Sequence, residues 1–128
     1  MKRARLIPVH GIGSAKEAEQ RATSALLSIL TVVRDLSVEL FGPMGASRAR
    51  KASVDAYIEP EFKLGKAKVR PDGMIVVAYG RSSWTALVEV KTGADQLSRE
   101  QVNTYWDVAR EHDFDQVVTI SNEIAPNR

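Results

Sequence analysis

The sequence predicts a mixed α/β domain, in α+β terms, with its elements in the order αβββαβ. Three observations predict it. Apolar residues recur at helical steps through the first third of the chain, and two β-branched, aromatic runs follow around a short Gly/Ser turn. A second helical stretch then leads into a short apolar strand.

The first helix has a recognisable start, because Ser14-Ala15-Lys16-Glu17 carries capping-box spacing, in which each side chain satisfies a free backbone N–H. Behind it Ala22, Ala25, Leu26, Ile29, Leu30, Val33, Leu36 and Leu40 recur every three or four residues, up to Gly42-Pro43. One amphipathic helix over about 15–40 is expected, with those residues on its core face. Residues 42–53 are small and basic, as in a surface loop.

Val54 to Phe62 reads as a strand, with Val54, Ala56 and Ile58 in alternation, and Lys63 to Lys68 as a basic turn. Met74–Tyr79 and Trp84–Val90, joined by Gly80-Arg81-Ser82-Ser83, form the clearest hairpin. A helix from about Ser98 to His112 and a strand at Val117–Ile120 complete the order.

Composition narrows the function classes. A chain of 128 residues with 44% hydrophobic content can bury a core as one domain over 1–128, the front part of a longer protein if more chain follows Arg128. The lack of cysteine excludes disulfides, a thiolate nucleophile and a cysteine zinc site, and suits a cytoplasmic setting. No segment has the length of a membrane span. The net charge is only +2 but unevenly spread: residues 43–70 carry seven Lys/Arg against three acids, and residues 93–128 three against seven. Such segregation can present a positive face to phosphates.

The chemistry rests on whether Asp72, opening the second strand, meets Glu89 and Lys91, closing the third. Side chains alternate across a strand, so Glu89 and Lys91 share a face and Asp72 shares one with Met74. An even-numbered turn centred on Arg81 and Ser82 pairs 72 with 91 and 74 with 89, which brings all three to one face; an odd one separates them. Two carboxylates and a backbone carbonyl, that of Val90, suffice for Mg²⁺ or Mn²⁺, which keep several waters. The ion would act as Lewis acid on a phosphodiester, with Lys91 orienting or activating the attacking water.

Asp72 followed by Glu89-Val90-Lys91 after a hairpin-length gap, on this element order, resembles the PD-(D/E)XK nuclease superfamily of restriction-endonuclease-like fold. The resemblance covers nearly the whole chain and implies a Mg²⁺-dependent phosphodiesterase acting on nucleic acid, DNA by first choice. It also implies a glutamate on the first helix joining the metal site. Glu19 fits, lying within roughly 40° of Leu26 and Val33 on the helical wheel. Gln101-Val102-Asn103-Thr104-Tyr105 resembles the Gln-x-x-x-Tyr motif of the branch like lambda exonuclease and recombination nucleases, where the pair follows the catalytic strand. Its i,i+4 spacing puts Gln101 and Tyr105 on one helix face, available to phosphate or metal-held water.

Plainer readings stand beside these. Pro71-Asp72-Gly73 is an ordinary turn sequence, Glu89 and Lys91 make a reasonable structural ion pair, and Ser98 to Gln101 fits a second capping box. Glu59 and Glu61 rank below Glu19 as the extra acid, since acids flanking a proline are usually exposed. Gly11-Ile12-Gly13 suits a flexible entry loop better than an anion site. The favoured expectation is a nuclease whose phosphate approach is lined by Arg48, Arg50, Lys51, Lys66, Lys68 and Arg70, free of membrane, with room for a C-terminal domain or a homo-oligomer. The alternative is a non-catalytic module of the same fold that binds nucleic acid or a protein.

Overall fold

The computed structural model describes residues 1–4, 15–91 and 98–121, with residues 15–19 and 121 as backbone only. Ser14, Gly11–Gly13 and the side chains of Glu17 and Glu19 therefore lie outside the described residues. The elements are β1 (Lys2–Arg3), α1 (Ala15–Val32), α2 (Arg34–Phe41), β2 (Ser53–Ile58), β3 (Phe62–Leu64), β4 (Ala67–Val69), β5 (Gly73–Tyr79), β6 (Ser82–Lys91), α3 (Arg99–Glu111) and β7 (Gln116–Ser121). A mixed five-stranded sheet runs in the order β1-β2-β5-β6-β7, antiparallel except for the parallel β6–β7 pair. This is the α+β class expected, with three helices against the sheet. No described helix is long and apolar enough to cross a membrane.

The expected single helix is two. It breaks at Val33, whose ψ of 90° is extended, behind the β-branched run Thr31-Val32-Val33, which resists helix through its restricted side-chain rotamers. The break turns α2 so that Phe41 is buried and meets the ring of Trp84 at 5.4 Å. Arg34 secures the bend, its guanidinium donating to the carbonyls of Ser47 and Ala49 at 2.9 and 2.8 Å.

The face buried by α1 also differs from the expected one. Thr23, Ser24, Leu27, Ser28 and Leu30 are buried, while Ile29, Val32, Val33 and Leu40 are exposed. Small hydroxyl residues let the helix sit close to the sheet, and Ser28 stays satisfied within it, its Oγ donating to the Ser24 carbonyl at 2.8 Å.

Alternation along β6 divides the core in two. Trp84, Ala86, Val88 and Val90 pack with Leu27, Leu30 and Phe41, whereas Leu87 packs with Met74, Tyr105, Val108 and Ala109 under α3. The stretch expected to be a basic turn is a second small hairpin, β3–β4, with Phe62, Leu64 and Val69 joining the α3 side. Its lysines alternate outward from these apolar residues, which is strand rather than turn patterning.

The turn joining β5 and β6 is Gly80-Arg81, with Tyr79 opposite Ser82 and Gly80 at φ 60°. Glycine at the first central position suits a two-residue hairpin turn. The loop is even, as the shared face requires, but centred one residue earlier than expected, so the pairing shifts by two and ends at Gly73 opposite Val88.

At Gly73 a side chain of α1 comes close to the sheet. A Cβ there would lie 2.4 Å from Leu27 Cδ1 and 3.2 Å from the Tyr57 carbonyl oxygen. Leu27 is fully buried, so it can yield only by repacking against its neighbours. Gly73→Ala is therefore expected to lower unfolding free energy by about 1–3 kcal/mol in urea melts; an unchanged midpoint would mean that Leu27 repacks freely.

Candidate active site

The antiparallel ladder of β5 and β6 has its last pair at Gly73 and Val88, so Val90 lies beyond it, opposite Pro71. The Val90 amide donates instead to Asp72 Oδ2 at 2.7 Å. The Asp72 carbonyl in turn accepts from the Glu59 amide at 2.9 Å. Asp72 is thus held at both its backbone and its carboxylate, on the β5 end of the sheet.

Continued by one residue beyond Gly73–Val88, the register places Asp72 directly across from Glu89, not from Lys91 as expected. The two-residue shift preserves parity, so the expectation of one shared face holds. Direct cross-strand neighbours are ~5 Å apart, close enough for the two carboxyl groups to interact.

Glu89 is 3% exposed, and its Oε2 is buried without a hydrogen-bond partner. Burial and then the Asp72 carboxylate push its pKa up to about 7, against the opposing pull of the Tyr105 hydroxyl and the Lys91 charge. Tyr105 feels the converse: burial and the adjacent Glu89 carboxylate raise its pKa, which keeps the phenol protonated as a donor. Gln101 Nε2 donates to Tyr105 Oη at 3.4 Å, so the Gln-x-x-x-Tyr pair forms a relay ending on Glu89.

The N-terminal turn of α3 also uses the Ser98 cap expected of it, Ser98 Oγ accepting from the Gln101 amide at 3.1 Å. The two readings of Gln101 are compatible, because its backbone serves the cap while its side chain faces the cleft.

These groups line a cleft of about 380 Å³ with Lys2, Gln20, Thr23, Ile58, Glu59, Arg70 and Lys91. Of the sequence-derived site, Asp72, Glu89, Lys91, Gln101 and Tyr105 therefore come together. Among the described residues no ion pair joins Glu89 to Lys91, so the structural-pair reading has no contact to rest on.

Among the described residues, those of α1 that reach the cleft are Gln20 and Thr23, on the stripe continued by Leu27 and Leu30. Glu19, expected at the metal site, precedes Thr23 by one helical turn, and its side chain lies outside the described residues. Glu59, ranked below Glu19, lines the cleft, with its carboxylate accepting from Gln20 Nε2. Glu61 is the exposed one, paired with Lys68 at 3.4 Å and Arg70 at 3.3 Å.

The basic residues divide by topology. Arg70 borders the cleft, whereas Lys66 and Lys68 lie on the β3–β4 hairpin and do not line it, Lys68 being paired with Glu61. Arg48, Arg50 and Lys51 precede Ser53, which pairs with Ala78 at the far end of the sheet. The six residues of β2 separate them from the cleft by roughly 17 Å. Lys2, which no motif signals, is carried to the cleft by the pairing of β1 with Ile58.

Among the described residues no group of three or more His, Cys, Asp or Glu side chains is placed to hold a metal. The pair of Asp72 and Glu89 nevertheless fits a hard divalent cation, which takes few protein oxygens and completes its shell with water. The orphaned Glu89 Oε2 is the observation that fits it: facing carboxylates are stable with a shared proton or with a cation between them. Val90 directs its N–H to this end of β5, and a strand residue turns its carbonyl to the same side. Comparison with protein-family models, curated proteins and solved structures finds no match.

The raised Glu89 pKa fixes the sign of a pH effect. The folded state holds this proton more tightly than the unfolded chain, so the stability it contributes is present below about 4.5 and is lost as pH rises to about 7. Melts in EDTA at pH 5 to 8 should show wild type losing on the order of 3 kcal/mol relative to Glu89→Gln across that window. Parallel pH profiles for the two proteins would contradict a protonated Glu89. Exposed Glu61, held low by Arg70 and Lys68, acts in the opposite sense at lower pH.

Proposed function

We propose that this chain is a metal-dependent nuclease of the PD-(D/E)XK type that hydrolyses nucleic-acid phosphodiester bonds, DNA foremost, with Mg²⁺ or Mn²⁺ in a cytoplasmic setting. The observation that carries the reading is the buried, unpartnered Glu89 Oε2 opposite Asp72 in a cleft that also holds Lys91. A carboxylate so placed destabilises the fold unless a proton or a cation offsets its desolvation. Sites that carry such a burden are commonly functional ones.

Asp72, Glu89 and the Val90 carbonyl would hold the ion, which supplies Lewis acidity and neutralises the negative charge gathered there. Tyr105 Oη orients Glu89, and Gln101 Nε2 orients Tyr105. Lys91 Nζ donates to the phosphoryl oxygens, offsetting charge as water adds to phosphorus and gives up a proton to solvent. One P–O ester bond breaks, and its electron pair leaves on the sugar oxygen, which takes up a proton. Arg70 and Lys2 at the cleft supply cationic contacts for the flanking phosphates.

A second reading, a module that binds nucleic acid or protein without cutting, draws on one observation. Only two carboxylates meet closely among the described residues, and half of the basic set lies at the other end of the sheet. Incubation with linear and circular DNA in Mg²⁺ or Mn²⁺ separates the two. Wild type should cut, EDTA should abolish cutting, and Lys91→Ala should slow it by about 10²–10⁴-fold; cutting of circles marks an endonuclease. A folded wild type that binds DNA equally with and without metal, and equally as Glu89→Ala, would establish the module instead.

A further inference from the structure

Glu59 stands in a conformation that a glutamate does not choose. Its φ is 47°, in the left-handed region favoured by glycine and, among side-chain residues, by asparagine and aspartate. Pro60 follows it and disfavours the right-handed helical alternative. Glycine would take this position without strain, so the side chain's contacts have to account for its presence.

Two contacts do so. The Glu59 amide donates to the Asp72 carbonyl at 2.9 Å, one residue beyond the last β2–β5 pair, Ile58–Gly73. The Glu59 carboxylate accepts from Gln20 Nε2 on α1. Both residues line the cleft. Helix α1, the end of β2 and Asp72 are therefore tied in series, through a backbone that would otherwise relax.

We infer that the Gln20–Glu59 pair is a positioning device for Asp72: by holding Glu59 at positive φ it fixes the Asp72 backbone, and with it the spacing of the Asp72 and Glu89 carboxylates. The inference rests on the metal-site reading above. It assigns Glu59 no contact with the ion. It also accounts for the position of Gln20, which no motif signals, on the α1 stripe that faces the cleft.

Isothermal titration of the full chain with Mn²⁺, paired with thermal melts in EDTA, tests it with three variants. Gln20→Ala and Glu59→Gly should each weaken Mn²⁺ binding by about tenfold or more, the usual scale for groups that orient a ligand. Glu59→Gly should melt at or above the wild-type temperature, because glycine accepts the positive φ. Glu59→Gln keeps an acceptor for Gln20 and should retain wild-type affinity. A merely structural role predicts the reverse, lower melting temperatures with unchanged affinity, and would overturn the inference. Loss of binding in Glu59→Gln would overturn it in favour of a direct role for the Glu59 charge. A wild type that binds no Mn²⁺ would overturn the metal site itself, and this inference with it.

Discussion

A carboxylate sunk to 3% exposure opposite a second carboxylate is the constraint around which this end of the molecule is arranged. Keeping Glu89 there costs on the order of 3 kcal/mol at neutral pH. That is about the contribution of one fully buried aliphatic side chain such as Leu27 or Ile75. Tyr105 supplies a hydroxyl to one side of Glu89, and the Val90 amide holds the Asp72 carboxylate on the other. The last β5–β6 pair is Gly73 with Val88, so the Val90 amide lies beyond the ladder and is free for the task. A fold selected only for stability would place an apolar residue at 89, continuing Leu87 under α3.

The two sides of the sheet meet this constraint differently. On the α3 side, Tyr105 stands one turn before Val108 and Ala109, so its ring belongs to the core while its hydroxyl reaches Glu89. On the α1 side the close approach at Gly73, together with Thr23 and Ser24, lets the helix bring Gln20 to the same end. Small residues at the helix–sheet contact thus have the same effect on site geometry as polar residues inside it.

Much of this was legible in the chain. The β5–β6 hairpin declares itself through its β-branched runs and its glycine turn, and period-two alternation carries Asp72, Glu89 and Lys91 to one face whichever even register is taken. The exact pairing was not legible, because Gly80-Arg81 and Arg81-Ser82 are both acceptable turn centres and only the folded sheet decides between them. The α1 face was misjudged in part: Leu30 is buried as expected, but Thr23, Ser24 and Ser28 share the buried face with Leu27, while Ile29, Val32 and Val33 remain exposed. Periodicity reads hydrophobicity, and here the tight contact selects for size. The location of the basic residues depends on strand direction: Arg48 to Lys51 and Lys66 to Arg70 lie at either end of a chain segment that traverses the sheet once through β2. Lys2 and Gln20 carry no motif, and their place follows from pairing and helix rotation alone.

The two-residue turn at Gly80-Arg81 also bears on how the molecule assembles. Asp72 and Glu89 are joined by the shortest loop closure in the large sheet, and hairpins of this kind form in ~1–10 μs. Gln20 and Glu59 meet across 39 positions, and Tyr105 reaches the pair only when α3 docks. In the nascent hairpin both carboxylates are hydrated and repel weakly; the repulsion becomes costly when the helices expel water from around them. The strain of the site is therefore stored in helix docking rather than in strand pairing. Its cheapest relief is a partial lifting of a helix that readmits water to Glu89 while the hairpin stays zipped.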